Sequence, residues 1–359
     1  MRNRILAITT AVLFVFGVNG TAQSMTSTAE LKLACETSPG NVVAINVPTQ
    51  ISSGPQAPLT ENVNTKCTLV LGSQVSFEAS QVSMTFAGPL RIQGSNESHV
   101  LFIESEFTAP SIGSTTSSKS LFQVERSLLR ATAGGIAIDG GSEGTVSIHG
   151  PLLGGNLHAT GSVTLAGGLK FYAGLTDAGV SAGTGFNVNM TGNEAYFVSV
   201  TSTIHAAGGA INVTASGEKS FAEFKFNSVA ASPRGINVRL NGNESEIVAN
   251  QFAFDAGTGL ILRTGGNKGK VTLDDGTISA NGSVTVQSSI TGLEGVATVT
   301  KARSTAGGST RVETGARGSS EVLDSSLTAN SLVRIATRAG GNCKSQNNII
   351  TAPIQQVCP

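Results

Sequence analysis

Hydrophobic and polar positions alternate in short runs along the chain, and the runs return at a nearly constant spacing. Phe186, Val188 and Met190 alternate with Asn187 and Asn189, a period of two that predicts a half-buried strand. The pattern repeats in Ile211-Asn212-Val213 and Ile236-Asn237-Val238, and the turn glycines Gly192, Gly217 and Gly242 keep the same step as Val188, Val213 and Val238. That step is about 25 residues, within the range of repeat architectures. Beyond this segment Leu262, Val286, Val312 and Ile335 follow at steps of 24, 24, 26 and 23. Leu165, Ile138, Ile112 and Ile92 precede it at 23, 27, 26 and 20. A second alternating run follows the glycine in each unit, as in Tyr196-Phe197-Val198-Ser199-Val200, Ser220-Phe221-Ala222-Glu223-Phe224 and Lys270-Val271-Thr272-Leu273.

A fixed period of this length marks a solenoid, and the two-residue alternation inside each unit makes it one of strands. A β-propeller needs blades of about 40 residues, and a leucine-rich repeat needs a Leu/Asn signature that is absent. The expected fold is therefore all-β: a right-handed parallel β-helix of about 12 coils with a short N-terminal capping helix. Each strand would pair with its copy one turn away, at about 4.8 Å, and inward side chains would form ladders. The recurring glycines are expected where the corners need a positive φ.

An open stack exposes apolar ends and unpaired edges, so caps are expected. Ser27-Thr28-Ala29-Glu30 reads as a capping box, with Leu31, Leu33 and Ala34 continuing as a short amphipathic helix over the first coil. Cys35 and Cys67 near the front, and Cys343 and Cys358 near the back, read as two terminal disulfides, since no Cys-x-x-Cys spacing or neighbouring His supports metal ligation. The basic start (Arg2, Arg4), the apolar run Ile5 to Val18 and the small residues Gly20-Thr21-Ala22 form a signal peptide, too short to span a bilayer. The organisation expected is residues 1–22 signal peptide, 23–42 N-terminal cap, 43–340 β-helix and 341–359 a disulfide-closed loop cap.

Composition supports an exported rod. Forty-four glycines, two tyrosines and no tryptophan suit many short strands and tight turns. Removing Arg2 and Arg4 from the 23 basic residues leaves 21 against 23 acidic ones, a net charge of −2, which offers nothing to nucleic acid. From Lys301 onward seven basic residues face three acidic ones, leaving that end at +4 and the remainder near −6. Secretion to the cell exterior or periplasm is the expected localisation. No later apolar stretch is long enough to make this an integral membrane protein, and neither a membrane barrel nor a sorting anchor is legible, so retention at a surface would need a partner.

In its repeat geometry, over residues of about 40 to 340, the chain resembles the pectate-lyase-like β-helix superfamily of polysaccharide lyases, polygalacturonase-type hydrolases and adhesin passengers. The resemblance implies a site on an outward face, built in the lyases from carboxylates that hold calcium and in the hydrolases from paired aspartates. Asp274-Asp275 is the one adjacent acidic pair, yet the Gly-His-Gly and Arg-x-Lys of the hydrolases are missing, and Asp274-Asp275-Gly276 falls where a turn is expected. The histidines His99, His149, His158 and His205 do not lie one coil apart. Gly140-Gly141-Ser142-Glu143-Gly144 matches Gly-x-Ser-x-Gly, but Thr145-Val146-Ser147-Ile148 after it reads as a strand rather than the helix a nucleophile elbow needs. No catalytic residue and no cofactor or metal are assigned; were the chain an enzyme, Asp274 and Asp275 would be tested first.

Two outward rows carry the remaining signal. One runs Asn187, Asn212, Asn237, Ile261, Thr285, Arg311, Arg334, and the other Asn189, Thr214, Arg239, Arg263, Gln287, Glu313, Ala336. Stacked Asn and Arg offer hydrogen bonds along a line, so Asn187, Asn212, Asn237, Arg239 and Arg263 are candidate contacts for an extended polar ligand such as a polysaccharide. Asn ladders also stabilise stacked strands by themselves, and that is the competing explanation. The rows are too mixed for an ice-binding face. The expected function is a secreted, non-enzymatic structural or adhesive protein that presents a polar surface to an extracellular polysaccharide or a cell-surface partner, with self-association open to it; a polysaccharide lyase or hydrolase is the alternative.

Overall fold

The computed structural model describes residues 25–52, 60–150 and 156–358, so the expected signal peptide lies outside the described residues. The chain winds into an all-β parallel solenoid of about 13 turns, with three strand ladders running its length. The first sheet has 14 strands, from Val42–Ile45 to Ile354–Val357. The second runs from Thr49–Ser52 to Asn342–Gln346 and the third from Glu61–Val63 to Ile349–Thr351. In two turns, Phe221–Ser232 and Glu246–Ala256, the second and third strands continue through the corner as one.

The alternation read from the sequence sets which side chains enter the core. Leu165, Val188, Val213, Val238, Leu262, Val286, Val312 and Ile335 are register partners in consecutive strands of the first sheet, and all are buried. Upstream the ladder departs from expectation. Ile138 pairs with Ser114, not Ile112, and Ser114 pairs with Ile92, so the ladder steps from Ile92 through a serine to Ile138. Ile112 sits at the start of the same strand, also inward; hydrophobicity alone selects it, whereas the ladder spends a buried serine there.

Beside the third corner the inward row is a run of small residues, Ala131, Ala159, Ala182 and Ala206 and, after Ser232, Ala256, Ala280 and Ala306. Elsewhere phenylalanines fill the section. Phe102 lies 6.4 Å from Phe77, 4.7 Å from Phe107 and 5.7 Å from Phe122 between ring centres, and Phe224 lies 5.6 Å from Phe197 and 5.2 Å from Phe254. Each such ring contributes about 1.5–3 kcal/mol by burial, plus a smaller term for its edge-to-face partner.

The corners correct a second expectation. Gly192, Gly217 and Gly242 do not have positive φ. The left-handed residue stands two places later, at Glu194, Lys219 and Glu244 (φ 55°, 53° and 54°). Its N–H donates to a carbonyl of the next turn, as Glu194 does to Glu218, Lys219 to Asn243 and Glu244 to Asn267, each at 2.8 Å. This corner joins the first sheet to the second and recurs at Glu97, Lys119, Glu143, Lys170, Lys268, Glu294 and Arg317. The glycines are needed for proximity instead. A Cβ at Gly217 would strike the backbone of Gly192, and one at Gly242 the backbone of Gly217.

A second left-handed corner joins the second sheet to the third, at residues such as Gln81, Glu104, Arg126, Thr201, Asp275, Lys301 and Asp324. The next residue is often a buried serine that ties two turns together. The Ser105 hydroxyl donates to the Ile103 carbonyl at 2.8 Å and accepts the Val82 N–H at 3.1 Å. Ser202 does the same with Val200 and Ala178, and Ser325 with Leu323 and Ala302.

The front cap is a helix, Thr28–Thr37, with Ser27 at its N-cap and the Ser27–Glu30 capping box formed. The Thr26 N–H, followed by weaker hydrogen bonds at Thr26 and Ser27, holds the Glu30 carboxyl below the usual carboxylate range. Leu31 and Cys35, one helical turn apart, face the first coil. Leu33 points away and is 62% exposed, against expectation, because the face spaced i, i+4 from Leu31 excludes it. Cys35 is bonded to Cys67 and Cys343 to Cys358. The back segment is not a loop: Asn342–Gln346, Ile349–Thr351 and Ile354–Val357 form the last turn, which the second disulfide closes.

Candidate binding surface

The two outward rows exist in register. Asn187 pairs with Asn212 and Asn212 with Asn237, followed by Ile261, Thr285, Arg311 and Arg334. Beside them Asn189, Thr214, Arg239, Arg263, Gln287, Glu313 and Ala336 occupy consecutive strands in the same way. Strand pairing brings Arg239 and Arg263 side by side, on the same outward face as Asn237 and Ile261.

The asparagines are partly used by one another. The Asn212 amide donates to Asn187 Oδ1 at 3.0 Å and the Asn237 amide to Asn212 Oδ1 at 3.2 Å, an arrangement that tightens the stack. Each amide carries a second N–H, and Asn237 lines a shallow depression of about 430 Å³ with Arg234, Ile261, Ser283 and Thr285. Farther along, the Gln287 amide donates to Glu313 Oε2 at 2.9 Å, and Arg334 pairs with Glu313 at 3.3 Å. Arg239 and Arg263 differ: like charges adjoin in neighbouring strands, and neither is ion-paired among the described residues. Like charges directly opposite one another on adjacent strands are destabilising.

Asp274 and Asp275 have divergent surroundings. Asp274 ends the strand Lys270–Asp274 and accepts a 3.4 Å hydrogen bond from the Asn250 amide. Asp275 is the left-handed corner residue that follows (φ 51°), as the turn reading of this segment requires. Its side chain lines a depression of about 560 Å³ with Asn227, Gln251, Lys301 and Arg303. Gly276 belongs to this corner because a Cβ there would meet the Phe252 ring. The sequence alone singles out neither Lys301 nor Arg303 for this place; they adjoin Asp275 and Thr277 in the next turn.

The histidines form no cluster. His158 and His205 share a row of the third sheet two turns apart with Ser181 between them, and His149 is hydrogen-bonded to the Ser147 hydroxyl at 2.6 Å. Glu143, inside the Gly-x-Ser-x-Gly match, is a left-handed corner residue, and Thr145–His149 follows as a strand. Among the described residues no group of three His, Cys, Asp or Glu side chains is arranged to hold a metal ion, and no helix is long and apolar enough to cross a membrane.

Fold and surface together define a disulfide-closed parallel β-solenoid whose outward rows are set by strand register. Comparison with known proteins finds no matching family model, no matching curated protein and no matching solved structure.

Proposed function

We propose that this is a secreted, non-enzymatic structural or adhesive rod whose first sheet holds an anionic extracellular polysaccharide, in the manner of the adhesive members of the pectate-lyase-like β-helix superfamily. The observation that carries the reading is the Arg239–Arg263 pair, two adjacent cations without carboxylate partners, lying beside the stacked amides of Asn187, Asn212 and Asn237. Carboxylates of a uronic-acid polymer match guanidinium forks, and the spare amide N–H groups match hydroxyl and ring oxygens. Two disulfides, together with the signal peptide expected from the sequence, favour an oxidising exterior.

A glycan array with the purified protein tests this. Uronic-acid polymers are the expected ligands, with affinity falling as salt rises. Arg239→Ala/Arg263→Ala together should lower affinity about 10- to 100-fold, on the basis of about 1.5–3 kcal/mol for a charge-assisted hydrogen bond. An unchanged affinity in the double variant would remove this surface from consideration.

A lyase or hydrolase is the second reading. It is favoured by the depression where the Asp275 carboxyl group adjoins the Lys301 and Arg303 side chains within one concavity. Asp275→Asn and Lys301→Ala would abolish any such activity.

A further inference from the structure

The left-handed corner between the first and second sheets alternates in charge for ten consecutive turns. It runs Glu97, Lys119, Glu143, Lys170, Glu194, Lys219, Glu244, Lys268, Glu294, Arg317, each with φ between 52° and 59°. Residues other than Gly, Asn and Asp are uncommon in this conformation, so glutamate and lysine are not there for backbone ease. The side chains project from an edge of the rod, and most are exposed. Of neighbouring pairs along the ladder only Lys170 and Glu194 close to salt-bridge distance, at 4.0 Å, among the described residues. The charges are therefore largely free to meet groups outside the chain.

We infer that this edge is the interface of an antiparallel dimer of two copies of the chain. Parallel pairing about a two-fold along the rod would set Glu on Glu and Lys on Lys. Antiparallel pairing about a two-fold midway between neighbouring turns sets each glutamate within the overlap against a lysine or arginine, a self-complementary isologous contact. The flanking side chains choose the centre. Leu169 and Leu293, each just before its ladder residue, are exposed at 42% and 43%. They lie in turns equidistant from the midpoint between Lys219 and Glu244. With the two-fold there, Leu169 meets Leu293 of the other copy, Lys219 meets Glu244, Glu194 meets Lys268, Lys170 meets Glu294 and Glu143 meets Arg317.

The neighbouring positions agree with that centre. Glu218 then faces Asn243 rather than another acid. In the first outward row of the second sheet the exposed Tyr172 and Tyr196 come opposite Val296 and Lys270, covering apolar surface otherwise left in water. With that centre the two strips overlap from Glu143 to Arg317, seven turn spacings, about 34 Å at roughly 4.8 Å per turn. A narrow, charge-rich strip gives a weak and salt-sensitive complex. The dimer uses the corner and the polysaccharide reading uses the first sheet, so either stands without the other.

Sedimentation velocity on the intact, disulfide-bonded protein provides the test. At low salt and about 100 μM, a concentration that populates even weak complexes, the protein should sediment as a dimer and revert to monomer near 1 M salt, where the screening length falls to about 3 Å. Lys219→Glu alone should abolish the dimer. Lys219→Glu/Glu244→Lys should keep it, because each swapped pair still matches across the two-fold although the order within the chain is broken. Leu169→Cys and Leu293→Cys proteins should cross-link with each other on mild oxidation but not with themselves; both sites are exposed, and a melt matching the parent's confirms folding. A monomer at low salt, or self-linking of Leu169→Cys, overturns the proposal.

Discussion

Gly217→Ala is expected to destabilise the protein by about 3 kcal/mol, the upper end for overpacking a tight interior. The added methyl would be driven into the carbonyl and peptide of Gly192 one turn away. Backbone cannot rotate aside as a side chain does, so the two turns must part and the strand pairing on either side must stretch. Gly113→Ala supplies the control, since a Cβ there meets nothing within 4 Å. It should be neutral, or stabilising by about 0.5 kcal/mol through a less flexible unfolded chain. Urea denaturation of both variants gives the comparison. Equal losses would mean that the close approach of the Gly192 backbone is not what requires glycine at 217.

Phe102→Ala should cost about 3–5 kcal/mol, as for other fully buried phenylalanines. Its ring touches Phe77, Phe107 and Phe122, which belong to three successive turns, so the cavity would loosen three layers at once. In a solenoid each turn is stabilised by its neighbours alone, and the damage should stay local. Amide exchange is expected to quicken through residues 77–122, while the turns around Phe224 and Phe254 keep their protection. Uniform loss along the rod would show that the turns are coupled far beyond nearest neighbours.

Much of this architecture was legible because a strand ladder copies sequence period into space. Val188, Val213 and Val238 recur evenly since each of those turns consumes the same length of chain, and the outward rows through Asn212 and Arg239 follow from alternation. The end disulfides were legible because the four cysteines fall two near each end with none between, and the capping box because N-cap chemistry is local. The corners were not. Left-handed residues are sought among glycines and asparagines, and Glu194, Lys219 and Glu244 look like ordinary surface charges until the turns are aligned. Alignment would have found them, because charges of alternating sign, one per turn from Glu97 to Arg317, are a periodic signal as strong as the valines. Ser114 hid for the opposite reason: a buried serine in a hydrophobic ladder is invisible to a search for hydrophobes. The grouping of Asp275 with Lys301 and Arg303 depends on the residue count between corners, which varies from turn to turn.

Whether the rod binds a polymer without altering it is tested most directly by incubating the purified protein with uronic-acid and neutral polysaccharides, pelleting the complexes and sizing the recovered chains. Binding and cleavage are then read from one sample. Co-sedimentation with uronic-acid polymers of unchanged length is the predicted result; new unsaturated or reducing ends, abolished by Asp275→Asn, would contradict it.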